Sequence, residues 1–197
     1  MADPGVNSHW WDFSAWPEPK PYGSTDTYEK GMAWLDGECN VIADWGCGLT
    51  WAKQYATRSE YWGVDGSSNN PFADELADLR KYKKPSDGIF MRHVLEHNAE
   101  WQDILANAVA SFRKRFVLIM FTPFSETTRP NNPGHLTLDI SFRREDLLAF
   151  LEPFAVSEEH LQTDTQYGSE HIFYVARAKQ AKPVVVPLAD EPVALAT

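Results

Sequence analysis

The residues able to do chemistry gather where apolar runs stop. Val41-Ile42-Ala43 reads as a buried strand and ends in Asp44-Trp45-Gly46-Cys47-Gly48, an acid followed by a glycine turn. Glycines let the backbone bend sharply and approach a ligand closely, and a helix following such a turn offers its unpaired amides. A second run, Gly63-Val64-Asp65-Gly66-Ser67, ends in a carboxylate about 20 residues later, the distance at which a second-strand acid accepts both hydroxyls of an adenosine ribose. The plainer alternative for Asp65 is a turn or a helix cap. A third run, Phe90-Met91-Arg92-His93-Val94-Leu95-Glu96-His97, puts two imidazoles and a carboxyl at one strand end.

Three histidines are candidates for proton transfer, because a neutral imidazole with a pKa of about 6.5 suits that work. They are His93, His97 and His135, the last in Asn132-Pro133-Gly134-His135. His93 and His135 are the candidate bases, since loop residues at strand ends carry function disproportionately. His97 and Glu96 read instead as satisfying backbone groups or capping the next helix, and His9, His160 and His171 as structural. A metal reading of His93, Glu96 and His97 fails on order. The zinc pattern on a helix puts the acid directly after the first histidine and needs a third ligand, so no metal is expected.

The elements that must position these groups alternate between strand-like and helical runs, which argues for an α/β fold. The expectation is a Rossmann-like, mostly parallel central sheet with helices on both faces. A short helix is expected over residues 25–35, with Ser24 or Asp26 as cap and Tyr28, Met32 and Leu35 on one face. Strands are expected at 40–44, 61–65, 75–79, 86–92 and 116–121, and a helix at 99–112, whose Trp101, Ile104, Leu105, Ala108 and Phe112 form one apolar stripe. Arg113-Lys114-Arg115 is expected as a solvated helix end. Residues 68–73 read as a loop, 144–151 as a helix, and 154–161 and 171–178 as late strands.

At 197 residues the chain suits one domain with a real core. The expected division is a Trp/Pro-rich arm at 1–24, a core domain at 25–178 and an Ala/Pro/Val tail at 179–197. The arm carries Trp10, Trp11 and Trp16 and reads as packed on the domain surface. Arm and tail are the segments available for contact with a second copy or an assembly. A net charge of −10 disfavours nucleic acid. The two cysteines, Cys39 and Cys47, are too few for a disulfide scaffold and point to a reducing cytoplasm. No run approaches the roughly 20 apolar residues of a membrane span.

Taken together, Asp44-Trp45-Gly46-Cys47-Gly48 and His93-Val94-Leu95-Glu96-His97 resemble the class I S-adenosylmethionine-dependent methyltransferases, in their small-molecule branch. The resemblance runs from about Tyr28 to Arg177 and implies the class I methyltransferase fold with S-adenosylmethionine as cofactor. It implies that Asp44, Gly46, Cys47 and Gly48 surround the methionine part and that Asp65, followed by Gly66 and Ser67, holds the ribose. Asp78 and Leu79 then meet the adenine, and Arg92 and His93 line the methionine side. The implied acceptor is a small molecule or a saccharide, methylated on oxygen, with His135 facing it. Two departures stand out. Thr50 replaces a glycine often found there and is expected to cap the following helix, and the short span from Asp65 to His93 leaves little room for the usual second helix. These departures keep a second reading open, a methyltransferase-like domain without turnover that serves as a binding or structural module.

Overall fold

The apolar strand residues pack in alternation, as a sheet covered on both faces requires. A computed structural model describes residues 13, 18–67, 69–131 and 138–177. In chain order the elements are α1 (Asp26–Asp36), β1 (Val41–Trp45), β2 (Glu60–Asp65), β3 (Glu75–Leu76), β4 (Ser86–Arg92), α2 (Trp101–Ser111), β5 (Phe112–Met120), β6 (Arg129–Pro130), β7 (Ile140–Ser141), α3 (Arg144–Leu151), β8 (Ala155–Gln162) and β9 (Ser169–Ala176). Among the described residues seven strands form one sheet in the order β3-β2-β1-β4-β5-β9-β8. The first five run parallel, and β9 enters antiparallel between β5 and β8. This is a Rossmann-like, mostly parallel arrangement.

One face packs Ile42, Phe90, Val117 and Ile119 against Met32 and Leu35 of α1. The other packs Ile89, Met91, Phe116 and Leu118 against Ile104 and Leu105 of α2 and Leu147 and Leu151 of α3. Helix α1 lies close to the sheet because Gly31 has no side chain, and a Cβ there would meet Phe90 at 2.7 Å. The turns that follow the parallel strands β1, β2 and β4 lie at the same end of the sheet.

Several expectations need correction. The segment after the glycine turn is a five-residue 3-10 turn, Trp51–Tyr55, with no α-helix. Its brevity follows from Asp36, whose carboxylate accepts the amides of Thr57, Arg58 and Ser59 and so turns the chain straight into β2. Thr50 sits at φ 56 and makes no side-chain cap bond among the described residues, so it does not act as the expected cap. Strand β3 has only two residues, and Asp78 and Leu79 lie beyond it in a turn where the Asp78 carbonyl accepts the amides of Lys81 and Tyr82. Arg113-Lys114-Arg115 belongs to β5, where Lys114 pairs with Asp87 at 2.8 Å and Arg115 lies over the Trp34 ring. Strands β6 and β7 form a separate antiparallel pair that the sequence expectations do not include. No helix among the described residues is long and apolar enough to cross a membrane. Trp10, Trp11, Trp16 and the 179–197 tail lie outside the described residues.

Candidate functional site

Parallel strands leave their turns on one edge, and there the described chain forms a cavity of about 360 Å³. It is lined by Asp44, Gly46, Cys47 and Gly48 after β1, and by Asp65, Gly66 and Ser67 after β2. Asp78 and Leu79 contribute from beyond β3, and Arg92 and His93 from the end of β4. The sequence candidates within the described residues are thus brought together at one cavity. His135 lies outside the described residues. Phe13, Lys20 and Tyr22, which precede α1, also line the cavity and carried no motif that would mark them.

The first turn is built for close approach. Gly46 has φ +78, and a Cβ there would sit 2.4 Å from Val94, so no other residue fits without displacing the turn after β4. The amides of Gly46 and Cys47 both donate to the Val64 carbonyl, at 2.8 and 3.1 Å, so they lock this turn to β2 instead of facing a ligand. Gly48 donates its amide to Asp65 Oδ2 at 2.9 Å, and Ser67 donates its own to Oδ1 at 2.7 Å. Each carboxylate oxygen keeps a further lone pair, so the pair of amides aims Asp65 while leaving it able to accept hydroxyls.

Asp44 is 3% exposed and accepts the Tyr61 hydroxyl at 2.6 Å. Burial pushes its carboxyl up to about 7, against the Tyr61 hydrogen bond and with nearby Asp65 adding to the rise. The Cys47 thiol is raised well above its ordinary value by burial and by Asp44, so it is a packed thiol and not a reactive thiolate. Asp78 is clamped by Arg80, whose Nε and guanidinium tip donate at 2.8 and 2.9 Å. That hydrogen bonding holds Asp78 below the usual carboxylate range. Any adenine contact at this position is therefore shared with Arg80, which also lines the cavity.

At the β4 end the decisive residue is one the motifs did not mark. Glu170 in β9 is fully buried, and its Oε1 accepts the Thr27 hydroxyl at 3.0 Å, His93 Nε2 at 2.6 Å and an Arg92 nitrogen at 2.9 Å. Burial alone would raise Glu170, but the His93 bond and the Arg92 charge hold it below its ordinary value. Arg92 also donates to the carbonyls of Tyr22 and Ser24 and lies 4.0 Å from the centroid of the Tyr28 ring, so it ties the segment before α1 to the cavity wall. His93 adopts φ 56, and burial together with Arg92 depresses its imidazole to about 3. In β9 Glu170 lies on the same face as buried Ile172, one residue before the strand expected at 171–178.

The other two members of the run go elsewhere. Glu96 Oε1 accepts the Phe121 amide at 2.7 Å, and burial raises its carboxyl to about 7. His97 lines the cavity, with Nδ1 2.8 Å from the Leu138 carbonyl and 3.3 Å from Asp139 Oδ1. His160 and His171 stack on each other at 4.3 Å and do not line the cavity.

No protein-family model matches the sequence, and no curated protein matches it either. Solved structures do share its fold. Magnesium protoporphyrin IX methyltransferase (ChlM) from Synechocystis PCC 6803, with bound SAM, aligns with a TM-score of 0.62 and 15% identity over 90% of this chain and 98% of that one. The 1,6-didemethyltoxoflavin-N1-methyltransferase of Burkholderia thailandensis, with bound 1,6-didemethyltoxoflavin and S-adenosylhomocysteine, aligns at 0.61 and 15% over 79% and 80%. N-methyltransferase NodS from Bradyrhizobium japonicum WM9, with S-adenosyl-L-homocysteine, aligns at 0.55 and 10% over 78% and 85%. The chain therefore has the class I methyltransferase fold.

Proposed function

We propose that this chain binds S-adenosylmethionine in the cavity and transfers its methyl group to oxygen on a small-molecule or saccharide acceptor. The observation that carries the reading is Asp65, held by the amides of Gly48 and Ser67 in the wall of a cavity that is also lined by the Gly46–Gly48 turn, Asp44 and Asp78. The donor set fits the cofactor. Asp65 would accept ribose hydroxyls, Asp44 would face the cationic methionine part, and the side-chain-free turn leaves room beside the cofactor. When bound, S-adenosylmethionine supplies an electrophilic methyl on a sulfonium centre. The protein's own part is to align the acceptor with it and to exclude water.

The structural module without turnover is the less supported reading, because a purely structural turn has no need of an acid positioned like Asp65. The test is to incubate the full chain with methyl-labelled S-adenosylmethionine and the small-molecule fraction of a cell extract. Transfer of label to a low-mass product supports the enzyme. A protein that binds the cofactor and labels nothing supports the module.

A further inference from the structure

We infer that Arg80 withdraws the Asp78 carboxylate from recognition of the base, so that this cavity holds the purine of its cofactor without selecting a 6-amino group. The inference rests on the methyltransferase reading above and goes beyond it in naming what sets base specificity. The strand order β3-β2-β1 places Asp65, at the end of β2, between two unlike walls. After β1 come Asp44 and the Gly46–Gly48 turn, which suit the charged methionine end of the cofactor. Beyond β3 come Asp78, Leu79 and Arg80, joined in the lining by Ile104 of α2. Leu79 and Ile104 are both buried, and a flat, uncharged base belongs against such an apolar pair.

The carboxylate beside that pair is already taken. A carboxylate offers about four lone-pair sites. Arg80 fills three of them in Asp78, with its backbone amide at 3.0 Å and Nε at 2.8 Å on Oδ1, and Nη2 at 2.9 Å on Oδ2. Lys81 Nζ stands 3.6 Å from Oδ2 as well. The pair is sheltered, with side chains 8% and 17% exposed, and the Arg80 bonds hold Asp78 below the usual carboxylate range. The backbone presets this clamp. Asn107 of α2 donates Nδ2 to the carbonyls of Leu79 and Arg80 at 3.0 and 2.7 Å, and the Asp78 carbonyl accepts the amides of Lys81 and Tyr82. An adenine amino group is a neutral donor, and to reach Asp78 it must displace a charge-assisted bond about twice as strong as the neutral kind. That exchange is unfavourable. A site selects an N–H group when the analogue lacking it leaves a buried acceptor unpaired, and here Arg80 keeps Asp78 paired whichever base is bound.

The test is calorimetric titration of the full chain with S-adenosylhomocysteine and with its analogue that carries hydrogen in place of the 6-amino group. Wild type is expected to bind the two within about threefold of each other, below the worth of one hydrogen bond to a charged group. Arg80→Met keeps an apolar stem and frees the carboxylate, so it is expected to prefer S-adenosylhomocysteine by about tenfold or more. A wild-type preference above about threefold overturns the inference, and so does a folded Arg80→Met that shows no rise in preference. If Arg80→Met does not fold, Asp78→Asn decides in its place. S-adenosylhomocysteine affinity within about threefold of wild type supports the inference, and a larger loss overturns it. Failure of wild type to bind either ligand instead overturns the reading on which it rests.

Discussion

Two carboxylates, Asp65 lining the cavity and Glu170 buried behind the Arg92 and His93 that line it, are held in contrasting ways. Asp65 accepts two backbone amides from the turns on either side of it and keeps lone pairs toward the cavity. Glu170 accepts side chains from α1 and from the end of β4, and is closed off from solvent. The first is a local feature of two turns, and the second ties together three segments distant in sequence. A change at Asp65 should therefore alter binding with little effect on stability. A change at Glu170 should alter stability first.

The largest effect breaks the Glu170 side. Glu170→Ala leaves the Arg92 guanidinium buried without its counter-charge, and loss of one partner of a buried pair costs about 3–5 kcal/mol. Urea unfolding should show that loss, with Glu170→Gln less severe. Gly46→Ala should follow at roughly 2–4 kcal/mol, combining a forced contact with Val94 and a left-handed backbone. Gly168, at φ +75 with open space around it, is the control, and Gly168→Ala should cost only about 1–2 kcal/mol.

A further effect concerns pH. Burial raises Asp44 in the folded protein from 3.8 to about 7. A carboxyl raised on folding binds its proton more tightly in the native state. Its contribution is therefore full below pH 3.8 and is lost as pH climbs to about 7, by at most about 1.4 kcal/mol per pH unit. Asp44→Asn should gain on the wild type as pH rises through that window, read from denaturation midpoints in a pH series. At the small end, Asp65→Ala should shift stability by about 1 kcal/mol or less, since its amide partners border a cavity and water can replace the acceptor.

The same contrast explains what the sequence revealed. Asp44, Gly46, Gly48 and Asp65 were legible because strand, acid and glycine are contiguous, and parallel strands bring such turns to one edge. Glu170 and Asp139 were not, because each is a single acid in a polar stretch whose partners lie far away in sequence. The 3-10 turn Trp51–Tyr55 was misread because its composition suits a helix, and Asp36, which shortens it, acts from the end of α1. Arg113-Lys114-Arg115 was misread because charge suggested a helix end, while pairing of Ser86 with Phe112 and of Gly88 with Arg115 starts β5 early.

The central claim is that Asp65 holds the ribose of an adenosyl cofactor, and calorimetric titration of S-adenosylhomocysteine into wild type and Asp65→Ala tests it most directly. The expected wild-type result is micromolar or tighter affinity, roughly −8 kcal/mol. Asp65→Ala should be weaker by about 1.5–3 kcal/mol with its fold intact. Folded wild-type protein giving no heat at about millimolar ligand, or Asp65→Ala binding as tightly as wild type, would contradict it.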